Sequence, residues 1–148
     1  MPTVNSEITI NADIDKVYAI ARDIERFPEF MDDVETVEIL EQTPERQLSR
    51  WSSIIREFGR KIAWVEEDHW DDAAKTCTWR QTEGDFTKYE GTWEFTPTTD
   101  GATLAKLQID YEFNVPLLGA LIQGLVKKKM QDNTASMLAA IKAKAEEA

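Results

Sequence analysis

From Val34 to Asn114 apolar side chains recur at alternate positions, and beyond Val115-Pro116 the spacing changes to that of a helix and stays so. Turn signals interrupt the alternating region at Thr43-Pro44, Phe58-Gly59, Asp71 to Lys75, Gly84-Asp85 and Thr98 to Gly101. Six consecutive strands with such short connections imply an antiparallel meander, because parallel neighbours need a long crossover. The helix that follows would run roughly 30 residues, or ~45 Å. On its projection Ile122, Val126, Met130, Asn133, Met137, Ala140 and Ile141 share one face, which must lie on the sheet.

Ahead of the meander, Ser6 to Asn11 alternates as a short strand. Asp13 stands where an N-cap belongs, and Ile14, Val17, Tyr18, Ala19 and Ala21 carry helical spacing up to Asp23. Pro28 disfavours helical geometry at Phe27, so a kink and a second short turn over Glu29 to Asp33 are expected. The order predicts an α+β domain over 1–148: a curved antiparallel sheet of about seven strands around a long C-terminal helix, with two short helices after the first strand. At 148 residues one sizeable core is possible, since a domain of this length buries about 70% of its chain's surface.

Charge narrows the partners. With 28 Asp and Glu against 17 Lys and Arg, the net charge of -11 repels phosphate backbones, and nucleic acid is not expected. MPTVNSEITI lacks a basic segment followed by an apolar run, and the apolar stretch Pro116 to Val126 is too short to span a bilayer, so a cytoplasmic location is expected. Cys77 is the sole cysteine; a disulfide within the chain and a thiolate metal cluster are both excluded, and it reads as a small buried residue.

WVEEDHWDD, residues 64 to 72, puts five carboxylates and the chain's only histidine between and beside two tryptophans. Strand parity sorts it. Ile62, Trp64, Glu66, Asp68 and Trp70 share the side with the larger apolar content and are placed inward; Ala63, Val65, Glu67, His69 and Asp71 face out. A metal at His69 is rejected, because alternate residues of one strand span ~13 Å while ligands of a zinc ion converge to about 2 Å from it. Glu66 and Asp68 then point to the concave side beside aromatic rings, where they need water, a cation or a proton. Either that side is a hydrated cavity, or Arg80 on the next strand pairs with one of them. Parity alone turns Arg80 outward, since Cys77, Trp79 and Gln81 form the more apolar set.

The next strands present Tyr89, Gly91, Trp93 and Phe95, then Leu107, Ile109, Tyr111 and Phe113, inward. Gly91 marks either a bend or room for a ligand. The facing helix offers slim or pliable side chains, Met130, Asn133 and Met137. Incomplete filling is expected, and an aromatic hollow with a few polar groups suits an apolar ligand carrying oxygen atoms.

INADIDKVYAIARDIERFPEFMDDVETVEIL, residues 10 to 40, and GDFTKYEGTWEF, residues 84 to 95, resemble the polyketide cyclase/dehydrase branch of the START and birch-pollen-allergen-like superfamily, near its coenzyme Q-binding START-like members. The resemblance implies a helix-grip fold that holds a lipid, quinone or polyketide between sheet and long helix. It implies pocket roles for Phe27, Phe30 and Met31 at a helical mouth, for Trp64, Glu66 and Asp68, and for Trp93 and Met137. It also turns Arg80 inward, with a bulge at Gly84-Asp85 resetting the register. Aromatase/cyclases carry an arginine where this chain has Asp68, and an ionised Asp68 would repel a developing enolate rather than anchor it.

Three functions follow as expectations. A carrier or sensor would hold a hydrophobic small molecule against Phe27, Phe30, Met31, Trp64, Tyr89, Trp93, Ile109, Met130, Asn133 and Met137, without a cofactor. A cyclase or dehydratase would use Asp68, Glu66, Arg80 and Tyr111, with Tyr89, for proton transfer. An interaction module would present Leu118, Leu121 and Leu125 of PLLGALIQGLV to a partner, with Lys127 to Lys129 available for transient contact with a membrane surface. In solution a monomer or weak dimer is expected.

Overall fold

The structure, a computed structural model, describes residues 2–55, 60–113 and 120–147. Strand β1 (Thr3–Ile10) leads into helix α1 (Ile14–Arg22) and a 3-10 helix (Ile24–Glu29). Strands β2 (Val34–Gln42), β3 (Arg46–Ile55), β4 (Arg60–Asp71), β5 (Thr76–Gly84), β6 (Lys88–Pro97) and β7 (Thr103–Glu112) follow, and helix α2 (Ala120–Ala145) ends the chain. The seven strands form one antiparallel sheet in the order β1-β7-β6-β5-β4-β3-β2. Consecutive strands are neighbours throughout the meander, as short turns require, and β1 closes the far edge beside β7.

Asp13 caps α1 with extended backbone, its Oδ2 accepting from the Asp15 amide at 3.0 Å. The second short helix lies earlier than the expected 29–33. It is a 3-10 turn over Ile24–Glu29 with Pro28 inside, near an end where a missing N–H costs one bond at most. The turn buries Ile24 and Phe27. The amide of Met31 then bonds back to the Phe27 carbonyl at 2.8 Å.

Helix α2 runs along the outer edge strand. Gln131 Nε2 donates to the Asn5 carbonyl at 2.7 Å, Lys142 Nζ to the Thr9 carbonyl at 2.9 Å, and Glu146 Oε2 accepts from the Asn11 amide at 2.8 Å. These side chains cover β1, whose free edge would otherwise template another strand. The face of α2 turned inward carries Val126, Met130, Asn133, Thr134, Met137, Leu138, Ile141 and Ala145. The stripe expected from periodicity is present, rotated slightly so that Thr134 and Leu138 are its most buried members between Met130 and Ile141. Ile122, Leu118 and Leu121, and the turn at Phe58-Gly59, lie outside the described residues or side chains. Leu125 is 42% exposed. Among the described residues no helix is long and apolar enough to cross a membrane.

Candidate functional site: an indole-lined cavity with a paired carboxyl wall

Between the inner sheet face and α2 lies a narrow cavity of about 70 Å³ that opens to the surface. Every tryptophan of the chain borders it: Trp51, Trp64, Trp70, Trp79 and Trp93. Strand alternation puts them there, since each sits at an inward position of β3, β4, β5 or β6. Trp51 and Trp64, opposite one another across β3 and β4, stack with centroids 5.8 Å apart and planes within 8°. Tyr89 lies 5.0 Å from Trp64, 4.6 Å from Trp79 and 4.1 Å from Phe86, so rings close one end of the hollow. The α2 side supplies Val126, Lys129, Met130, Asn133, Thr134 and Met137. Asn133 Nδ2 donates to Asp33 Oδ2 at 3.3 Å and ties the helix to the loop before β2.

The polar part of the wall belongs to β3 and β4. Glu66 is 5% and Asp68 2% exposed. Trp64 Nε1 donates to Glu66 Oε1 at 2.8 Å. Trp51 Nε1 donates to Ser49 Oγ at 2.9 Å, and Ser49 Oγ passes its own hydrogen to Asp68 Oδ2 at 2.8 Å. The serine thus accepts from the indole and donates to Asp68. The carboxyls also bond to each other with Glu66 as the donor. Burial holds the Glu66 carboxyl well above its ordinary value, and the nearby Asp68 pushes it further. Burial raises Asp68 too, opposed by the hydrogen bonds from Glu66 and Ser49. Burial thus favours the protonated form of both carboxyls, and each acts on the other's proton.

Their surroundings are inert as nucleophiles. Burial, with Asp68 and Glu66 beside it, drives the Cys77 thiol far up, and burial with Glu66 does the same to Tyr89. His69 is exposed on the outer face, where its Nε2 meets Glu67 Oε1 at 2.6 Å and Arg46 Nη2 meets Glu67 Oε2 at 3.2 Å. Among the described residues no three His, Cys, Asp or Glu side chains gather as a metal ion would need.

Of the residues singled out by sequence, Phe27, Trp64, Glu66, Asp68, Tyr89, Trp93, Ile109, Met130, Asn133 and Met137 border the cavity. Phe30 and Met31 do not. Phe30 packs edge-on against Phe27 at 6.0 Å, and Met31 is buried in the core behind it. Arg80 is corrected outright: it is exposed on the outer face, opposite Glu67 on β4 and Glu90 on β6. The irregularity in pairing falls between Gln81 and Glu83, opposite Val65 and Glu66, so residues 76 to 81 keep one parity and Trp79, not Arg80, turns in. Tyr111 is 1% exposed, and its hydroxyl is buried without a partner away from the cavity wall. Gly91, read from sequence as either a bend or room for a ligand, leaves no such room: the Trp79 ring and the Gln108 carbonyl occupy the space a side chain would take. Sequence reasoning missed Gln47, Ser49, Trp51 and Ser53, whose alternation in QLSRWSS was the available signal.

Residues 1–146 match the family described as polyketide cyclase / dehydrase and lipid transport. A Streptomyces cyaneus protein named as a candidate polyketide cyclase is 30% identical over 100 residues, which span 67% of this chain and 66% of that protein. The crystal structure of TTHA0849 from Thermus thermophilus superposes with a TM-score of 0.91 at 35% identity, covering 97% of each chain. That of the Zhui aromatase/cyclase from a Streptomyces species does so at 0.90 and 20% identity, covering 98% of this chain and 93% of that one. The architecture is a helix-grip fold, shared with a START superfamily protein from Mycobacterium smegmatis at a TM-score of 0.78 and 20% identity over 97% of each chain.

Proposed function

Because this chain belongs to the polyketide cyclase / dehydrase and lipid transport family, we propose that it binds a small hydrophobic molecule, of lipid, quinone or polyketide-like character, between sheet and α2, as a carrier or sensor. The observation that carries this reading is the convergence of all five tryptophans on one open hollow, where a fully packed core would leave none. The cavity has an apolar body and one polar wall, so a bound molecule would lie with its hydrocarbon on the indoles and a polar end at Glu66 and Asp68. Native mass spectrometry of purified protein, followed by organic extraction, should find a retained hydrophobic molecule. Added lipids, quinones or polyketide-like aromatics should quench or shift the tryptophan emission. An empty protein whose emission none of these moves would sink the reading.

A second reading, a cyclase or dehydratase, is favoured by one observation: two carboxyls, Glu66 and Asp68, stand at alternate positions of β4 on the cavity wall. Glu66 would protonate a leaving hydroxyl and Asp68 would take a proton from the adjacent carbon, a division of labour that generally contributes about a hundred- to ten-thousandfold. Turnover of an identified poly-carbonyl substrate should then fall by that factor in Asp68→Asn. An unchanged rate would remove the pair from any such chemistry.

A further inference from the structure

The carboxyl pair is buried, and the donors that hold it are neutral groups. Of its four oxygens, Glu66 Oε1 is held by Trp64 and Asp68 Oδ2 by Ser49. Neither donor carries a charge. The groups that set the Glu66 proton are burial, Asp68 and Trp64, with no cation among them. His69 and Glu67, which act on Asp68 through the strand, face its opposite side. Lys129 stands on the α2 wall, and Arg80, the cation the sequence suggested for this place, is outside. A charge buried among rings in this way is costly unless something pairs with it.

The rings around the pair have a matching property. The face of an indole is electron-rich and attracts cations more strongly than any other side chain's ring does. Trp64 donates to Glu66 itself and Trp51 reaches Asp68 through Ser49, Trp79 stands opposite Asp68 on β5, and Trp70 is two residues on along β4. A carboxylate within such a box is complementary to one kind of head group, an ammonium that can give its hydrogens to the carboxylate and lay its carbons on the indoles. A carboxylate or phosphate head would be repelled, and a hydroxyl would gain a hydrogen bond but none of the charge.

We propose that the Glu66–Asp68 wall is a receptor for the protonated amine of an otherwise apolar ligand. The inference rests on the reading of the cavity as a ligand site and names the chemistry of the ligand's polar end.

Three probes of one frame test it: 2-phenylethylamine, 2-phenylethanol and 3-phenylpropionate, titrated into the whole protein by calorimetry at neutral pH. The amine should bind at least about tenfold more tightly than the alcohol, and the acid should bind weakest. The indole N–H resonances of Trp51 and Trp64 should move on adding the amine. Asp68→Asn should erase the preference, while Glu66→Gln, which keeps the charge of Asp68, should retain it. The ranking in the unsubstituted protein decides the matter even where Asp68→Asn does not fold. An alcohol that binds as well as the amine overturns the proposal and leaves the cavity reading standing; failure of all three probes to bind overturns both.

Discussion

The indole of Trp79 lies over Gly91, directly across the β5–β6 pairing, where a Cβ on residue 91 would come within 2.5 Å of its Cζ2. The glycine is therefore a seat for the ring that walls the cavity, and the space it leaves is already used. Gly91→Ala should destabilise the fold by about 1–3 kcal/mol, the usual range for forcing extra carbon into a packed site. Urea unfolding measures this, and the fluorescence of the folded variant should shift as Trp79 is displaced. The Gln108 carbonyl lies closer still to the same Cβ, so an alanine accepted without loss would mean that both the ring and the β7 backbone give way.

Ser49 relays a hydrogen bond from Trp51 to Asp68. Ser49→Ala leaves an indole N–H without its acceptor and takes one donor from Asp68, both in the interior. A cost of about 1–3 kcal/mol is expected at neutral pH. Ser49→Thr, which keeps the hydroxyl, should recover part of it. Equal loss in both variants would point to shape rather than hydrogen bonding.

Glu66 carries the pH dependence. Its folded value is raised above its ordinary 4.5, so the folded chain holds a proton that the unfolded chain releases. Stability from this group is complete below about that value and is lost as pH rises toward the folded one, by about 1.4 kcal/mol per unit of difference. Gln in its place can accept from Trp64 and donate to Asp68, as the protonated acid does. Glu66→Gln should therefore match the unsubstituted protein at acidic pH and exceed it at pH 8 in denaturant unfolding. A variant that is weaker at pH 8 would show that Glu66 folds as the anion.

All three tyrosines resist ionisation in the folded chain. Burial and the bond to Asp72 push Tyr18 up to about 12, burial with Glu66 lifts Tyr89, and burial lifts Tyr111. The folded protein should show little tyrosinate absorbance at about pH 10.5, while the urea-unfolded chain should be largely ionised there. The sign follows: stability should fall as pH rises above about 10, because only the unfolded chain gives up these protons. Early tyrosinate in the folded state would contradict the burial described.

Much of the fold was legible because it rests on local rules. Alternation with turn residues at known offsets yields a meander, and the cap at Asp13 places α1. The 3-10 helix was misjudged by several residues, because the sequence marks the proline and not the tighter turn that tolerates it. The inward facing of Glu66 and Asp68 was legible from parity alone, as was the outward facing of His69. Arg80 was legible too; the count of alternate residues placed it correctly, and the register shift that does occur, between Gln81 and Glu83, lies beyond Arg80 and leaves its facing unchanged.

The chain's order of residues by itself determined which side chains share a face, because a strand's two-residue period and a helix's 3.6-residue period are properties of the backbone. It could not determine what meets across strands. Ser49, Trp51, Glu66 and Asp68 come together only through the pairing of β3 with β4, and Trp79 reaches Gly91 only through the pairing of β5 with β6. Whether two carboxyls share a proton, and whether a glycine leaves a hollow or a seat, depends on distances across the sheet and on loss of water. Those are set when the sheet curls against α2, and no periodicity records them.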